Sequence, residues 1–487
     1  MSAVYKIHPS IGVARVGNAS DSYFLGPETP GSPGVELADG QESTVTSYKH
    51  GGRVKRQGAR FRVFEYDQDP DGTLRLVGEV GPDVEVEWTV DLVNRKAALD
   101  HDFPPAARRN RTIADRDSLV IRSSPPVTIS SKDRGPAEVR GTFLGTEVYL
   151  GELRTDDDGR LIVLGGRGAS ASVPPGVRIR EFANNDRWHD DVADGPVSAT
   201  VTVSGQKPVA VHEGAWVIVS PPDFAPGVDA TVSLHDIAFQ AGIDKGTLAP
   251  DPRPSFVRHI RPMIERTVAL RWVDAWAEWA TLLPLDWDAL ADPAPAARPA
   301  REAIAERVRD PHLSLFALPA FLATYLDQWV AGDFDADSAS PPPVEPVPQQ
   351  LDRAALERCV GNNFFPGIEG GRNFSDATLY SRPFRLDRTN TARVYPGCLT
   401  EVMAVPWQAD FLACEGDWWP SQRPDQVMTD PADIPGSTKR WADPMTAFED
   451  MVRHVLQLGF IVPQRVGDAT VLVEVDRDPA FPRQDEG

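Results

Sequence analysis

The sequence FRVFEY at residues 61–66 is a short alternating run bounded by turn-forming residues, and similar runs recur through the first half of the chain. They are Val84–Val90, Leu161–Leu164, Val197–Val203 and Trp216–Ser220. Glycine and proline punctuate the segments between them, as they do where strands are joined by turns. The sequence therefore predicts a mainly β N-terminal domain over residues 1–232.

The apolar period changes beyond this domain. Trp272, Trp276 and Trp279 fall at i, i+4 and i+7, a spacing typical of an amphipathic helix. A second helical stripe, interrupted by Pro319, consists of Leu315, Leu318, Phe321, Leu322 and Tyr325. These two patterns predict a helical segment over residues 233–337.

A Pro-rich stretch at residues 338–349, with PPP at 341–343, has the composition of an extended linker. Residues 350–487 form a mixed C-terminal domain, in which a helix is predicted over Met445–Leu458, before Gly459. A chain of 487 residues suits two or three such domains. The predicted fold class is α+β.

Composition excludes several classes of protein. The formal net charge is −21, from 71 acidic and 50 basic residues, which argues against nucleic-acid or anionic-membrane partners. No apolar run approaches the roughly 20 residues that span a bilayer, and the N-terminus lacks the pattern of a signal peptide. Three cysteines in so long a chain suit a reducing compartment. A cytoplasmic protein is expected.

The stretch PWQADFLACEGDWWP at residues 406–420 carries the candidate chemistry. Pro406 suits the first turn of a short helix, and Gly416 is a plausible left-handed end. Asp410 and Cys414, at i and i+4, would share one face of that helix. A carboxylate beside a thiol could act as a general base or steer chemistry at sulfur. The alternative is a structural pair, because cysteine is often a small buried hydrophobe.

Two other motifs give weaker signals. NNDRWHDDVADG at residues 184–195 gathers one His and four Asp, but it lacks the regular ligand spacing of a calcium loop. A polar turn is favoured there, and no metal site is predicted. Phe224, in the rigid loop PPDFAPG after a strand, either lines a pocket or plugs one.

Several stretches resemble the amino-acid oxidases that carry cysteine tryptophylquinone (CTQ), a family that includes lysine 6-oxidase and a glycine oxidase. The resemblance covers nearly the whole chain. The stretches are IHPSIGVARVGN (7–18), SYFLGPE (22–28), VKRQGARFRVFEY (54–66), CVGNNFFPGIE (359–369), PGCLTEVMAVPWQADFLACEGDWWPSQRPDQV (396–427) and LGFIV (458–462).

The resemblance implies a cofactor made from the protein's own side chains, in which a cysteine sulfur is bonded to an oxygenated tryptophan. The crosslinked cysteine falls on Cys414, and the neighbouring carboxylate needed for cofactor formation falls on Asp410. The aromatic side chain that screens the substrate pocket falls on Phe224. Trp418 and Trp419 match a WWP that the family carries in addition, so Trp441 is the predicted quinone tryptophan.

The implied reaction is oxidative deamination of a primary amine or amino acid. The quinone acts as a covalent electron sink, a base removes the α-proton, and dioxygen reoxidises the cofactor. The products are an aldehyde or keto acid, ammonia and hydrogen peroxide. The resemblance also implies a separate flavoprotein that installs the quinone, and a homo-oligomeric assembly.

Two other hypotheses stay open from the residues alone. If the family's tryptophan before LGF instead falls on Val455, no crosslink forms and the chain is a quinone-free binding or scaffold protein. A hydrolase with Cys414 as nucleophile is the poorest reading, since none of the nine histidines is near it in sequence.

Overall fold

The computed structural model describes residues 2–38, 41–100, 108–274, 283–309, 318–336, 346–361, 368–413, 421–431 and 439–482. Several residues singled out in the sequence lie outside these ranges: Trp276, Trp279, Leu315, the PPP at 341–343, Cys414, Gly416, Trp418 and Trp419.

The strands in the described ranges are β1 (Ser2–His8), β2 (Ile11–Arg15), β3 (Tyr23–Leu25), β4 (Val35–Ala38), β5 (Gln41–Thr44), β6 (Lys49–His50), β7 (Arg53–Val54), β8 (Arg56–Gln68), β9 (Leu74–Glu79), β10 (Glu85–Val90), β11 (Val93–Asn94), β12 (Ile121–Arg122), β13 (Val127–Ser130), β14 (Ala137–Phe143), β15 (Thr146–Thr155), β16 (Leu161–Gly165), β17 (Ala171–Ser172), β18 (Trp188–His189), β19 (Ala193–Thr202), β20 (Val209–Ala210), β21 (Ala215–Ser220), β22 (Tyr380–Arg382), β23 (Arg385–Leu386), β24 (Gln426–Val427), β25 (Lys439–Arg440), β26 (Phe460–Val466) and β27 (Ala469–Val475). The α-helices are α1 (Leu234–Asp244), α2 (Arg261–Ala269), α3 (Trp287–Ala291), α4 (Arg298–Val308), α5 (Ala320–Ala331), α6 (Val347–Glu357), α7 (Trp407–Ala413) and α8 (Phe448–His454).

Seventeen of these strands form one large mixed sheet in the N-terminal part. Its longest strand is β8, which pairs antiparallel with β1, β9 and β16 and parallel with β3. The strands β2 and β21 are parallel neighbours, and both are buried throughout because the C-terminal part covers the face that would otherwise meet solvent. All five runs predicted from alternation coincide with strands of this sheet to within one residue, so the strand-rich N-terminal part is confirmed.

One glycine is required by the geometry of the sheet. Gly151 lies beside a bulge in the pairing of β14 with β15 and has a φ of 151°. A Cβ at this position would lie 2.3 Å from the carbonyl oxygen of Leu164 on β16. The two strands can therefore approach each other only where the side chain is missing.

The middle part is helical, but its helices begin and end differently from the prediction. α2 ends at Ala269, and Trp272 lies in the 3₁₀ turn that follows. α5 begins directly after Pro319, so the helix does not run through this residue, because proline lacks the N–H and clashes with the preceding turn. α6 begins at Val347, so the last residues of the predicted linker 338–349 are helical. The division into domains stays a prediction.

The predicted C-terminal helix is shorter at its start. α8 begins at Phe448 and not at Met445, because the Asp450 carboxylate accepts the Ala447 N–H at 3.2 Å and so caps the first turn. A 3₁₀ turn over residues 455–457 then leads to Gly459, where the prediction placed the end.

The N-terminal and C-terminal parts share one hydrophobic core. Tyr5 and Phe61 of the sheet belong to the same buried cluster as Trp441 and Phe460. Backbone hydrogen bonds join the parts as well, since the Ile461 N–H donates to the Phe224 carbonyl at 2.8 Å. None of the helices in the described ranges is both long and apolar enough to cross a lipid bilayer.

Shortening Phe61 to alanine should show how far the sheet depends on this core. Phe61 is fully buried on β8, so Phe61→Ala is expected to lower the free energy of unfolding by about 3–5 kcal/mol. The matched control is Val77→Ala on the neighbouring strand, where the side chain is 58% exposed. Urea denaturation followed by circular dichroism gives both values, and equal losses in the two variants would contradict the assignment of the core.

Candidate active site

The helix α7 carries the candidate carboxylate. It begins directly after Pro406, as predicted, because the fixed φ of proline suits a helix start. Its residues from Trp407 to Leu412 are all buried. Asp410 is 4% exposed, so its side chain is almost completely removed from water. The structure thus confirms the short helix and places its carboxylate inside the protein.

A buried carboxylate in the loop between β18 and β19 holds the start of α7. Asp190 accepts the Trp407 N–H at 3.1 Å, which satisfies one of the orphan donors of the first turn. The same carboxylate pairs with the Lys96 ammonium at 2.6 Å, and both side chains are 0% exposed. Asn94 donates a further hydrogen bond at 3.0 Å. Burial lowers the pKa of Lys96, and the Asp190 charge opposes that shift.

The rest of the NNDRWHDDVADG motif anchors the segment that leads into α7. Asp194 accepts from the Trp216 indole at 2.9 Å and from the Thr400 hydroxyl at 2.6 Å. Burial raises its pKa to about 6, and the hydrogen bonds of Thr400 oppose the shift. Asn185 donates to the Val405 carbonyl at 3.1 Å. The favoured reading of this motif as a polar turn is incomplete, because three of its four carboxylates are buried and two of them, Asp190 and Asp194, bind a distant segment.

Five aromatic side chains form what we call the aromatic cluster: Trp407, Phe411, Phe224, Trp441 and Phe460. Phe224 is at its centre, with its ring centroid 4.9 Å from those of Trp441 and Phe460 and 6.3 Å from that of Phe411. Trp407 and Phe411 are 4.9 Å apart on α7. Phe224 is fully buried, so it plugs the space between α7 and Trp441. Three of the four predicted site residues, Phe224, Asp410 and Trp441, therefore belong to or adjoin this cluster.

Trp441 is fixed in position on several sides. Its side chain is fully buried, and its indole N–H donates to the Gly459 carbonyl at 3.0 Å. A Cβ on Gly459 would lie 2.5 Å from the Val475 carbonyl oxygen, so only glycine lets the chain pass here. The guanidinium of Arg423 lies 5.6 Å from the Trp441 ring and donates to the Phe411 carbonyl. One cation thus touches both Trp441 and the end of α7.

A network of buried polar side chains is hydrogen-bonded to the backbone of Phe224. Arg15 of β2 and Glu369 form an ion pair at 2.7 Å, with side chains 5% and 0% exposed. Gln422 donates to Glu369, and the Gln422 carbonyl accepts the Phe224 N–H at 3.0 Å. Burial raises the pKa of Glu369, while the Arg15 charge lowers it. Sequence reasoning did not single out these residues, although each lies inside or beside a stretch that carries the family resemblance.

A small cavity of about 40 Å³ adjoins this network at Arg15. Tyr48 stacks on Phe460 in its wall, with ring centroids 5.3 Å apart. Burial raises the pKa of Asp223 to about 7, and Arg15 and Arg358 oppose the shift. Asp223 can therefore exchange a proton near neutral pH. The wall of the cavity includes Arg15, Tyr48, Asp223, Arg358, Cys359 and Phe460.

The remaining candidates are placed as follows. Cys414 lies outside the described residues, directly after the last residue of α7. Val455, the alternative position for the family's tryptophan, is buried in the turn that follows α8. α8 itself packs against α7, where Val452 and Phe448 adjoin the small buried cluster that contains Ala409. In the part of the chain that the structure describes, no group of three or more His, Cys, Asp or Glu could hold a metal ion.

Comparison with known proteins identifies relatives along most of the chain. Residues 8–219 match the sequence model of the L-lysine epsilon oxidase N-terminal domain, and residues 306–430 match that of the L-lysine epsilon oxidase C-terminal domain. The chain is 27% identical to L-lysine 6-oxidase of Marinomonas mediterranea over 84% of its own length and 70% of that protein. Asp410 and Cys414 fall within the C-terminal match, whereas Phe224 and Trp441 lie outside both.

Solved structures show the same fold. A crystal structure of the Schiff base intermediate of L-Lys epsilon-oxidase from Marinomonas mediterranea with L-Lys superimposes with a TM-score of 0.81 at 23% identity, covering 98% of this chain and 95% of that one. A second structure of the epsilon-lysine oxidase from the same organism gives 0.81 at 23% identity, covering 97% of this chain and 95% of that one.

Removing the charge of Asp190 should destabilise the protein strongly. Asp190→Asn leaves the Lys96 ammonium buried without a carboxylate, so a loss of about 3–5 kcal/mol in the free energy of unfolding is expected. Lys96→Met should lower the free energy of unfolding by a similar amount, because it leaves the Asp190 carboxylate buried without its cation. The double variant should cost less than the sum, because neither charge is then left unpaired.

Urea denaturation of the two single variants and the double variant measures this coupling. The control is Asp468→Asn in the exposed β26–β27 turn, which should change stability by less than about 0.5 kcal/mol. Additive losses across the cycle would show that the two side chains do not depend on each other.

Proposed function

Since the chain belongs to the L-lysine epsilon-oxidase family, we propose that it is a CTQ-dependent oxidase acting on a primary amine or amino acid. Dioxygen is the electron acceptor, and the products are an aldehyde or keto acid, ammonia and hydrogen peroxide. L-lysine, which the relative's name gives as its substrate, is the first candidate substrate to test.

The single observation that carries this proposal is the convergence of Trp441, Phe224 and α7 in one buried cluster. Arg423 connects the Trp441 ring to the carbonyl of Phe411, three residues before Cys414. One side chain therefore bridges Trp441 and a residue in the last turn of α7. A sulfur-to-indole bond between Cys414 and Trp441 needs this proximity, and nothing in the sequence spacing alone provides it.

The surroundings of Trp441 fit a quinone. A quinone places oxygen atoms with partial negative charge on the indole ring, and these gain from a nearby cation. The Arg423 guanidinium, 5.6 Å from the ring, supplies that charge. The indole N–H is already engaged by the Gly459 carbonyl at 3.0 Å, which fixes the orientation of the ring. Phe224 packs on the Trp441 ring and Phe460 packs on Phe224, so the two phenyl rings shield this part of the site from water.

When it is formed, the quinone supplies an electrophilic carbonyl and an electron sink for the amine. The protein's own residues bind, orient and move protons. Asp410, buried on α7 and desolvated, is the proposed base and the carboxylate required for cofactor formation. Phe224 screens the substrate, and the buried aromatic cluster keeps water from the reacting carbon. We also propose that a separate flavoprotein installs the quinone and that the enzyme is a homo-oligomer.

Replacing Trp441 tests the cofactor assignment. The protein is produced together with its flavoprotein partner, and intact mass, peptide mapping around Cys414 and the visible spectrum are recorded. We expect the mass of a sulfur-linked, oxygenated indole and a visible absorbance that phenylhydrazine changes. Trp441→Phe should abolish both, together with peroxide formation from L-lysine. Trp88→Phe, at another buried tryptophan, should keep them.

A colourless wild-type protein of unmodified mass, made under the same conditions, would eliminate the oxidase and leave the quinone-free binding protein. A crosslink from Cys414 to Trp418 or Trp419 would keep the oxidase and overturn the role of Trp441.

Neutralising Asp410 should separate its role from that of other acids. Asp410→Asn removes the proposed base without changing the size of the side chain, so peroxide production is expected to fall by about 10²-fold or more. The visible absorbance per mole of protein shows whether cofactor formation falls too. Asp244→Asn, on an exposed end of α1, is the matched control and should keep full activity. Full activity in Asp410→Asn would refute the assignment.

A further inference from the structure

A large polar cavity lies beside the Trp441 segment, to which its lining residue Arg477 is hydrogen-bonded. We call it the Lys49 cavity. Its volume is about 700 Å³, which is within the range of small-molecule sites. No residue of the aromatic cluster is among the described residues that line it: Asn18, Lys49, Gly51, Gly52, Arg53, Leu456, Gln457, Asp476, Arg477, Asp478 and Pro479.

The feature that marks this cavity is a buried ammonium group. Lys49 is only 7% exposed, and its Nζ has no hydrogen-bond partner among the described residues. Buried polar groups in proteins are nearly always satisfied, so such an atom at a cavity wall indicates a site for an acceptor. Burial lowers the pKa of Lys49 to about 8, opposed by Asp476 and Asp478. The side chain is still mainly charged at pH 7.

The other charges of the wall restrict which acceptor fits. Asp476 and Asp478 present carboxylates, held at 3.4 Å by the Ser47 hydroxyl and at 3.2 Å by the Gln457 amide respectively. A simple anion bound at Lys49 would be repelled by both carboxylates and by the protein's net charge of −21. A zwitterion offers a carboxylate to Lys49 and an ammonium group to the two aspartates.

One wall of the Lys49 cavity is connected to the proposed cofactor tryptophan. Arg477 donates to the Trp441 carbonyl at 2.6 Å and to the Asp443 carbonyl at 2.8 Å. It also pairs with Glu474 at 2.8 Å. This arginine is therefore a fixed structural element of the wall, and the charge that remains to meet a ligand carboxylate is that of Lys49, with exposed Arg53 at the rim.

We propose that the Lys49 cavity binds a free amino acid, with its carboxylate on Lys49 and its ammonium group on Asp476 and Asp478. This site is distinct from the aromatic cluster, and its occupancy does not depend on whether the quinone forms. An amine without a carboxylate lacks the group that Lys49 requires.

Isothermal titration calorimetry on the full chain tests the proposal with two probes, L-lysine and cadaverine, the same diamine without the carboxylate. The chain carries Cys414→Ala throughout, which prevents turnover and makes the result independent of the proposed oxidase activity. Lys49→Met should weaken L-lysine binding by at least about tenfold and leave cadaverine binding unchanged. Lys49→Arg should retain L-lysine binding, and Lys207→Met, at an exposed lysine, should have no effect.

Thermal unfolding of every variant accompanies the titrations, so a loss of binding counts only in a protein with the wild-type melting temperature. Retention by Lys49→Arg guards against a Lys49→Met variant that fails to fold. If L-lysine binds Lys49→Met as well as it binds the parent, or does not bind the parent at millimolar concentration, the proposal is wrong. An equal loss of cadaverine binding would overturn the role of the carboxylate.

Discussion

The buried ion pair between Asp190 and Lys96 is the interaction on which the candidate site depends. Removing two charges from water costs several kcal/mol per ion, and only excellent geometry and further hydrogen bonds repay it. Here Lys96 at 2.6 Å, Asn94 at 3.0 Å and the Trp407 N–H at 3.1 Å all converge on one carboxylate. Asn94 is on β11 of the large sheet, Lys96 is in the 3₁₀ turn that follows it, and Trp407 starts α7, so this carboxylate fixes the helix against the sheet.

The aromatic cluster gains its geometry from this constraint. Asp194 and Asn185 hold residues 399–405 at the same time, so the chain enters α7 along a fixed path. Phe411, packed on Trp407, then meets Phe224 from the loop after β21, and Trp441 packs on Phe224 as well. A site built in this way is rigid at its base, and this is what a covalent cofactor and its substrate require of their surroundings.

Local patterns in the sequence are enough to predict five strands of the sheet and the start of α7. The alternation in Phe61–Tyr66 and the position of Pro406 act over a few residues, and their physical effects do not need the rest of the chain. The interruption of the second helical stripe at Pro319 is equally local, and α5 begins directly after this proline because its missing N–H is tolerated at a helix start.

The candidate site was predictable only in part. Asp410, Trp441 and Phe224 could be selected through a family resemblance, and their assignment to catalysis stays a prediction. The partners that hold them could not be selected. Lys96 and Asp190 are 94 residues apart, and no periodicity links them. The motif at 184–195 looked like a turn because its acidic residues suggest solvent, whereas burial and pairing are decided by tertiary contacts.

The two backbone hydrogen bonds of Phe224 join it to segments that are synthesised much later. Its N–H is taken by Gln422 and its carbonyl by Ile461, so the loop after β21 is locked only by residues made much later. A ribosome-bound chain that stops before β26 has no finished pocket around Trp441. The oxidation that we propose for that indole is therefore a late, post-translational event, and the proposed flavoprotein must recognise a folded protein and not a nascent peptide.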